Sequence, residues 1–288
     1  GIQSMLSNFG AVIAAFFPFL LTSLGVANTA KKGVVPQSVV ISFYVGAAVL
    51  VITSLFTIFR VHEYDPETYA RYHGISEEDN KKGGNWFTLL KHAPRVFWNV
   101  ALVQFFCWFS FQYLSTYATG AIAQNVWNTT SASSAGYQIA GNWFGVLTAV
   151  QSIAAVIWSY VLAKVPNNRH KLGYGLSLAL GAIGYTSIFL VHSQMLLILS
   201  FILIGISWAG MNTYPLTMVS NALSGKHMGT YLGLFNCSIC LPQIVASLLS
   251  FIIFPMVGNS MPAMMLITGI SGFLAALSVI SIKETYVK

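Results

Sequence analysis

Residues 36–59 read PQSVVISFYVGAAVLVITSLFTIF, with no charged side chain anywhere in the run. A hydrocarbon core of ~30 Å takes ~20 helical residues to cross, so this run is long enough to span a bilayer. Its apolar residues are continuous, whereas the strands of a membrane barrel would alternate with a period of two. A helix also satisfies its own backbone in lipid. Seven similar runs lie around it, at 2–27, 96–122, 142–164, 172–191, 195–220, 228–256 and 262–282. The sequence therefore predicts an all-α integral membrane protein of about eight transmembrane helices. The composition agrees: of 288 residues, 56% are hydrophobic and 7% charged, with mean hydropathy +0.69. A soluble domain carries roughly 25% charged residues. Pro18, Pro215, Pro242 and Pro255 fall inside the runs, where neighbouring membrane helices can satisfy the freed backbone groups.

Charge then orients the chain. Threading eight spans alternately puts both termini on one side, with the segments 60–95, 164–171 and 221–227. Of the 14 Lys and Arg residues, only Lys31 and Lys32 fall on the other side. That bias predicts cytoplasmic termini in a plasma (inner) membrane. The net charge of +7 is thus a topology signal and calls for no nucleic-acid partner. Cys107, Cys237 and Cys240 lie in apolar runs and read as ordinary buried thiols, with metal or redox use of Cys237-x-x-Cys240 as the alternative.

The longest polar segment, 60–95, holds a helix start at Asp65-Pro66-Glu67, a turn at Lys81-Lys82-Gly83-Gly84, and a short surface helix around Trp86, Phe87, Leu89 and Leu90. The chain begins at Gly1 and enters an apolar run at once, without a basic leader or a small-residue cleavage pattern. The expected organisation is the last two helices of an N-terminal six-helix bundle at 1–60, a cytoplasmic linker at 61–95, and a C-terminal six-helix bundle at 96–288. Four further helices would precede Gly1. A native eight-span protein is the alternative.

Catalytic motifs are missing. There is no His-Glu-x-x-His or Gly-x-Ser-x-Gly, and all seven carboxylates lie outside the spans, so enzyme chemistry at membrane depth lacks its usual parts. The third run instead carries Gln104, Trp108, Gln112 and Ser115 at helical spacing, hence on one face. Amides can bind paired hydroxyls and indole rings can stack on the C–H faces of a sugar; interhelical hydrogen bonding is the alternative. Tyr117, Gln151, Trp208, Asn212, Asn236 and Gln243 complete the candidate substrate-binding set. Trp208, Asn212 and Tyr214 precede Pro215, where a kink could expose polar groups. Five histidines lie in cytoplasmic loops and His192 at an outer helix end. Asn128-Thr129-Thr130 is an outward-facing glycosylation triplet.

The stretch Gly233-Leu-Phe-Asn236-Cys-Ser-Ile-Cys-Leu-Pro242-Gln243 resembles the eleventh helix of sucrose and α-glucoside transporters. Gly205-Ile-Ser-Trp208-Ala209 with Tyr214-Pro215 is similar to their tenth helix, and the Phe-x-x-Trp108 opening to their seventh. Together these resemble the glycoside–pentoside–hexuronide:cation symporter group of the major facilitator superfamily. The resemblance implies helices five to twelve of a twelve-helix fold and a sugar substrate, with di- or oligosaccharides favoured. It also implies symport with H⁺ or Na⁺ by alternating access and no organic cofactor, the coupling site lying on helices that precede this chain. Rival readings are a facilitator for another neutral polar solute and a non-transporting receptor or structural membrane protein. The loop Asn168-Arg169-His170-Lys171 matches the superfamily's inner loop loosely, with Asn where an acid usually stands; Arg169 could cap a helix C-terminus there.

Overall fold

The computed structural model describes residues 2–27, 34–62, 64–65, 68, 71–72, 86–223 and 228–283. The turn expected at 81–84 lies outside them. The described residues form helices and no strand. In order these are α1 (Ile2–Ser23), α2 (Gln37–Arg60), α3 (Trp86–Lys91), α4 (Arg95–Trp127), α5 (Ala135–Ala163), α6 (His170–Leu190), α7 (Leu197–Ala222), α8 (Met228–Met256) and α9 (Met261–Ser278). A 3₁₀ turn, Asn167–Arg169, leads into α6, and another, Val279–Ser281, continues α9.

The chain forms two compact units. One comprises Phe16–Leu89 and the other Gly1–Ala15 with Leu90–Lys288. In the smaller unit α2 is apolar around its whole circumference, and Ser38 is its one buried residue. A helix hydrophobic on every side needs lipid or other helices around it. Further along, Asp65 Oδ1 accepts a hydrogen bond from the Thr68 amide at 2.8 Å, as expected of a helix start. That contact with Thr68 holds the exposed carboxyl below its usual range.

Six described helices, α2 and α5 to α9, are long and apolar enough to cross a membrane. At 33 residues α4 is longer than any of them, yet it falls short in apolarity because it carries the polar stripe. Its position explains the difference: α4 packs against α5, α6, α7, α8 and α9. A helix surrounded by protein need not be as greasy as one facing lipid.

Close helix approach holds this unit together. On α6, Ser177, Gly181 and Gly184 face α7: a Cβ added at Gly184 would lie 2.7 Å from the Ser200 carbonyl oxygen, and one at Gly210 of α7 would lie 2.6 Å from Ser177 Cβ. Ser187 donates to Ser200 across the same seam at 2.7 Å. On another face of α6, Ala182 meets Gly272 and Thr186 meets Gly269, both of α9. Small residues let membrane helices approach closely enough for packing and hydrogen bonds to replace the missing hydrophobic drive. Ser110 Oγ donates to the Thr268 carbonyl at 3.0 Å and Ser271 Oγ to that of Phe106 at 2.9 Å, fastening α4 to α9.

Several boundaries differ from those the sequence predicts. Helix α5 starts at Ala135 rather than 142, because Ser134 supplies an N-cap that accepts from the Tyr137 amide at 3.1 Å. Asn142 is thus well inside the helix. Helix α4 continues to Trp127 and stops where Asn128, the exposed asparagine of the glycosylation triplet, turns left-handed at φ 50°. Cys107 is buried as expected, but Cys237 and Cys240 are exposed on α8. The capping expected of Arg169 falls to Lys171, whose Nζ reaches the carbonyls of Ile280 at 2.6 Å and Ile282 at 2.8 Å. Asn99 joins it there, donating to Ser281 at 2.7 Å. The side chains of α4 and α6 therefore satisfy carbonyls of the 3₁₀ turn that continues α9 and of the residue that follows it.

Candidate functional site

Helix α4 presents Gln104, Trp108, Gln112 and Ser115 along one face, and what lies across that face changes along its length. At Gln104 the face is covered by α7. The side chain is 3% exposed and its Nε2 donates to the Met211 carbonyl at 3.1 Å, while Oε1 has no partner among the described residues. One turn on, the half-buried Trp108 ring stands edge-on to Trp208 of α7 at 5.9 Å between centroids. Phe111 completes the group, edge-on to Trp108 at 5.6 Å and tilted 32° over Trp208 at 4.6 Å. Such edge-to-face and offset pairs add about 0.5–1.5 kcal/mol beyond area burial, so the three rings fix one another.

Beyond the rings the face opens. Gln112 is half-buried and donates to Ser247 Oγ of α8 at 3.3 Å. Ser247 in turn donates to the Gln243 carbonyl at 2.8 Å. Gln243 Nε2 folds back on the Ile239 carbonyl at 3.0 Å, and Ser115 is exposed. On α7, exposed Asn212 donates to the carbonyl of Trp208 at 2.8 Å. Two sets of contacts thus meet on α4: Trp108 with Trp208 and Asn212 of α7, and Gln112 with Ser247 and Gln243 of α8. Their donors and acceptors are neutral amides and hydroxyls beside aromatic rings.

The other predicted residues sit elsewhere. Gln151 is 8% exposed on α5, at the point where its backbone carbonyl packs on Gly205 of α7. Tyr117 is also 8% exposed and stacks on Phe254 at 5.3 Å, within a packed cluster of α4 and α8. Asn236 is exposed on α8. Tyr214, expected near a kink at Pro215, is buried beside Tyr174 at 5.7 Å. Two residues in these contacts escaped the sequence reading. Phe111 is one aromatic among many in its run, and Ser247 is one of two serines, with Ser250, in an otherwise apolar stretch after Gln243.

Among the described residues, no group of His, Cys, Asp and Glu side chains could hold a metal ion, which leaves the Cys237-x-x-Cys240 metal alternative without further ligands. A family model described as Major Facilitator Superfamily matches residues 1–247. The chain belongs to the Major Facilitator Superfamily. Members are multi-pass membrane transporters that sit in lipid and bind small-molecule substrates, and this agrees with the helical, apolar architecture found here. No curated protein and no solved structure gives a match. In this facilitator the surface of α4, α7 and α8 is the strongest candidate for contact with the transported solute. It combines partial exposure, neutral polar groups and a rigid aromatic wall in one place.

Proposed function

We propose that this facilitator carries a sugar by cation-coupled alternating access, and that Trp108, Gln112 and Trp208 form part of the solute site. The observation that carries the reading is the juxtaposition of an indole pair with the half-exposed Gln112 amide on a helix that packs against five others. Sugars offer hydroxyls in pairs, which an amide can engage, and C–H faces that stack on aromatic rings. Neutral solutes are favoured over anions because no Lys or Arg lies in the interior of an apolar run, Lys164 standing at the end of one. The basic residues support a cytoplasmic placement of the end of the bundle that carries Arg95, Lys164, Arg169 and Lys171.

The test is solute binding to the reconstituted protein across a panel of disaccharides, a nucleoside and a dipeptide. Losing one neutral hydrogen bond removes about 0.5–1.5 kcal/mol, roughly two- to twelve-fold in affinity. Gln112→Leu should weaken binding of the preferred sugar by that factor, with folding unchanged. Sugar affinity unaltered in both Gln112→Leu and Trp108→Ala would make this face a packing surface. Preference for the nucleoside or dipeptide would keep the site and replace the solute.

A further inference from the structure

Away from the solute face, α5 and α7 enclose a groove of about 310 Å³ that opens to the outside of the bundle. Its walls are Val150, Ile153, Ala154 and Ile157 of α5 with Ile202 and Ile206 of α7, and the Trp158 ring at its back. The two helices meet tightly where Gly205 receives the Gln151 carbonyl and Ala154, at the edge of the groove. Small Ala154 leaves a hollow, and Ile157 (62% exposed) flanks it without filling it. Trp158 turns its only polar atom away, donating Nε1 to Ser177 of α6 at 2.9 Å. The groove therefore offers nothing to a polar molecule.

The helix that forms one wall carries a charge farther along. Ile153, Ile157, Tyr160 and Lys164 are spaced four, three and four apart and share one face of α5. From Ile153 to Lys164 is roughly 16 Å at 1.5 Å per residue, comparable to the depth of one leaflet of a ~30 Å core. At the end of that path, exposed Lys164 caps α5, its Nζ 4.2 Å from the Tyr160 ring centroid. An aromatic ring beside a cation at a helix end is the residue pair expected at the level of lipid headgroups. Arg169 is exposed in the turn that follows, so the same end carries a second cation.

We propose that this groove binds one anionic phospholipid, with an acyl chain along Ile153 and Ile157 and the headgroup phosphate at Lys164. The lipid is identified by the combination of an apolar slot and a cation farther along the same face of α5. Within a bilayer the acyl chain has as good an environment elsewhere, so shape alone gives little preference. Selectivity then resides in the headgroup. A lysine near the surface is worth about fivefold for anionic over zwitterionic lipid, the ratio equivalent to about 1 kcal/mol.

The experiment reconstitutes the full chain with brominated phosphatidylglycerol or brominated phosphatidylcholine and follows tryptophan quenching. The contribution of Trp158 is isolated as the difference from Trp158→Phe. Quenching of Trp158 should half-saturate at roughly fivefold lower mole fraction of phosphatidylglycerol than of phosphatidylcholine, and Lys164→Gln should abolish that difference. Native mass spectrometry of lipid retained by the unmodified chain and by Lys164→Gln gives the same comparison without altering Trp158. Equal half-saturation for the two lipids would overturn the proposal, as would a preference that survives Lys164→Gln. So would a Trp158 inaccessible to both lipids because a second copy of the chain covers the groove.

Discussion

Replacing Gly184 by alanine isolates the close approach of α6 and α7 in one methyl group. That methyl would sit 2.7 Å from the Ser200 carbonyl oxygen, 2.9 Å from Ile204 Cγ1 and 3.0 Å from Leu203 Cβ. The nearest atom belongs to the backbone of α7, so relief requires the helix itself to move. Moving it would also strain the Ser187–Ser200 hydrogen bond at 2.7 Å. Overpacking of this kind costs about 1–3 kcal/mol. For a chain of this size each kcal/mol lowers the melting temperature by roughly 2–4 °C, so a fall of roughly 2–12 °C is expected. Gly233 of α8 is the control, since an added Cβ there meets nothing within 4 Å. Gly233→Ala should be neutral or slightly stabilising through helix propensity. Buried Cys107 provides the readout: in a Cys237→Ser, Cys240→Ser background, a thiol-reactive dye reports its exposure on unfolding. Equal melting of Gly184→Ala and the parent, or an equal fall in Gly233→Ala, would refute the packing argument.

Two further outcomes follow from the same surfaces. Lys171→Met removes the donor to the carbonyls of Ile280 and Ile282 and should lower stability by about 1–3 kcal/mol, whereas Arg169→Met should change it little; the same dye assay ranks the two, and the reverse order would return the capping role to Arg169. A single cysteine at Asn167, in a background without native thiols, should resist an impermeant reagent in intact cells, while one at Asn259 should react; the opposite pattern would invert the orientation proposed from the basic residues.

What the sequence disclosed follows from what periodicity can encode. Apolar length marks a span whatever its neighbours, so α2 and α5 to α9 were legible, as was the polar face of α4. Which neighbour covers which part of that face depends on helix crossing, and nothing local records it. Gln104 and Ser115 share a face, yet one is locked onto Met211 and the other is exposed. Gln151 and Tyr117 show the same limit, since an isolated amide or phenol in an apolar run reads alike whether it meets a solute or a helix. The α6–α7 seam left a trace in the small residues Gly173, Ser177 and Gly181 at spacing four, a pattern that the search for polar chemistry passed over. The start of α5 was missed because Ser134 lies among Ser131 and Ser133, any of which could cap a helix.

The modest apolarity of α4 also bears on how the chain is made. A segment leaving the translocon partitions into lipid according to its own composition, and α4 is the least suited of the long helices in this unit to do so alone. Ser110 Oγ donates to the Thr268 carbonyl and Ser271 Oγ to that of Phe106, so these bonds between α4 and α9 form only after a further 165 positions, from Phe106 to Ser271, have been made. At 5–20 residues per second the ribosome takes roughly 10–30 s to cover that distance. During that interval α4 waits beside the translocon or against α5, α6 and α7, and the arrival of α9 completes these hydrogen bonds.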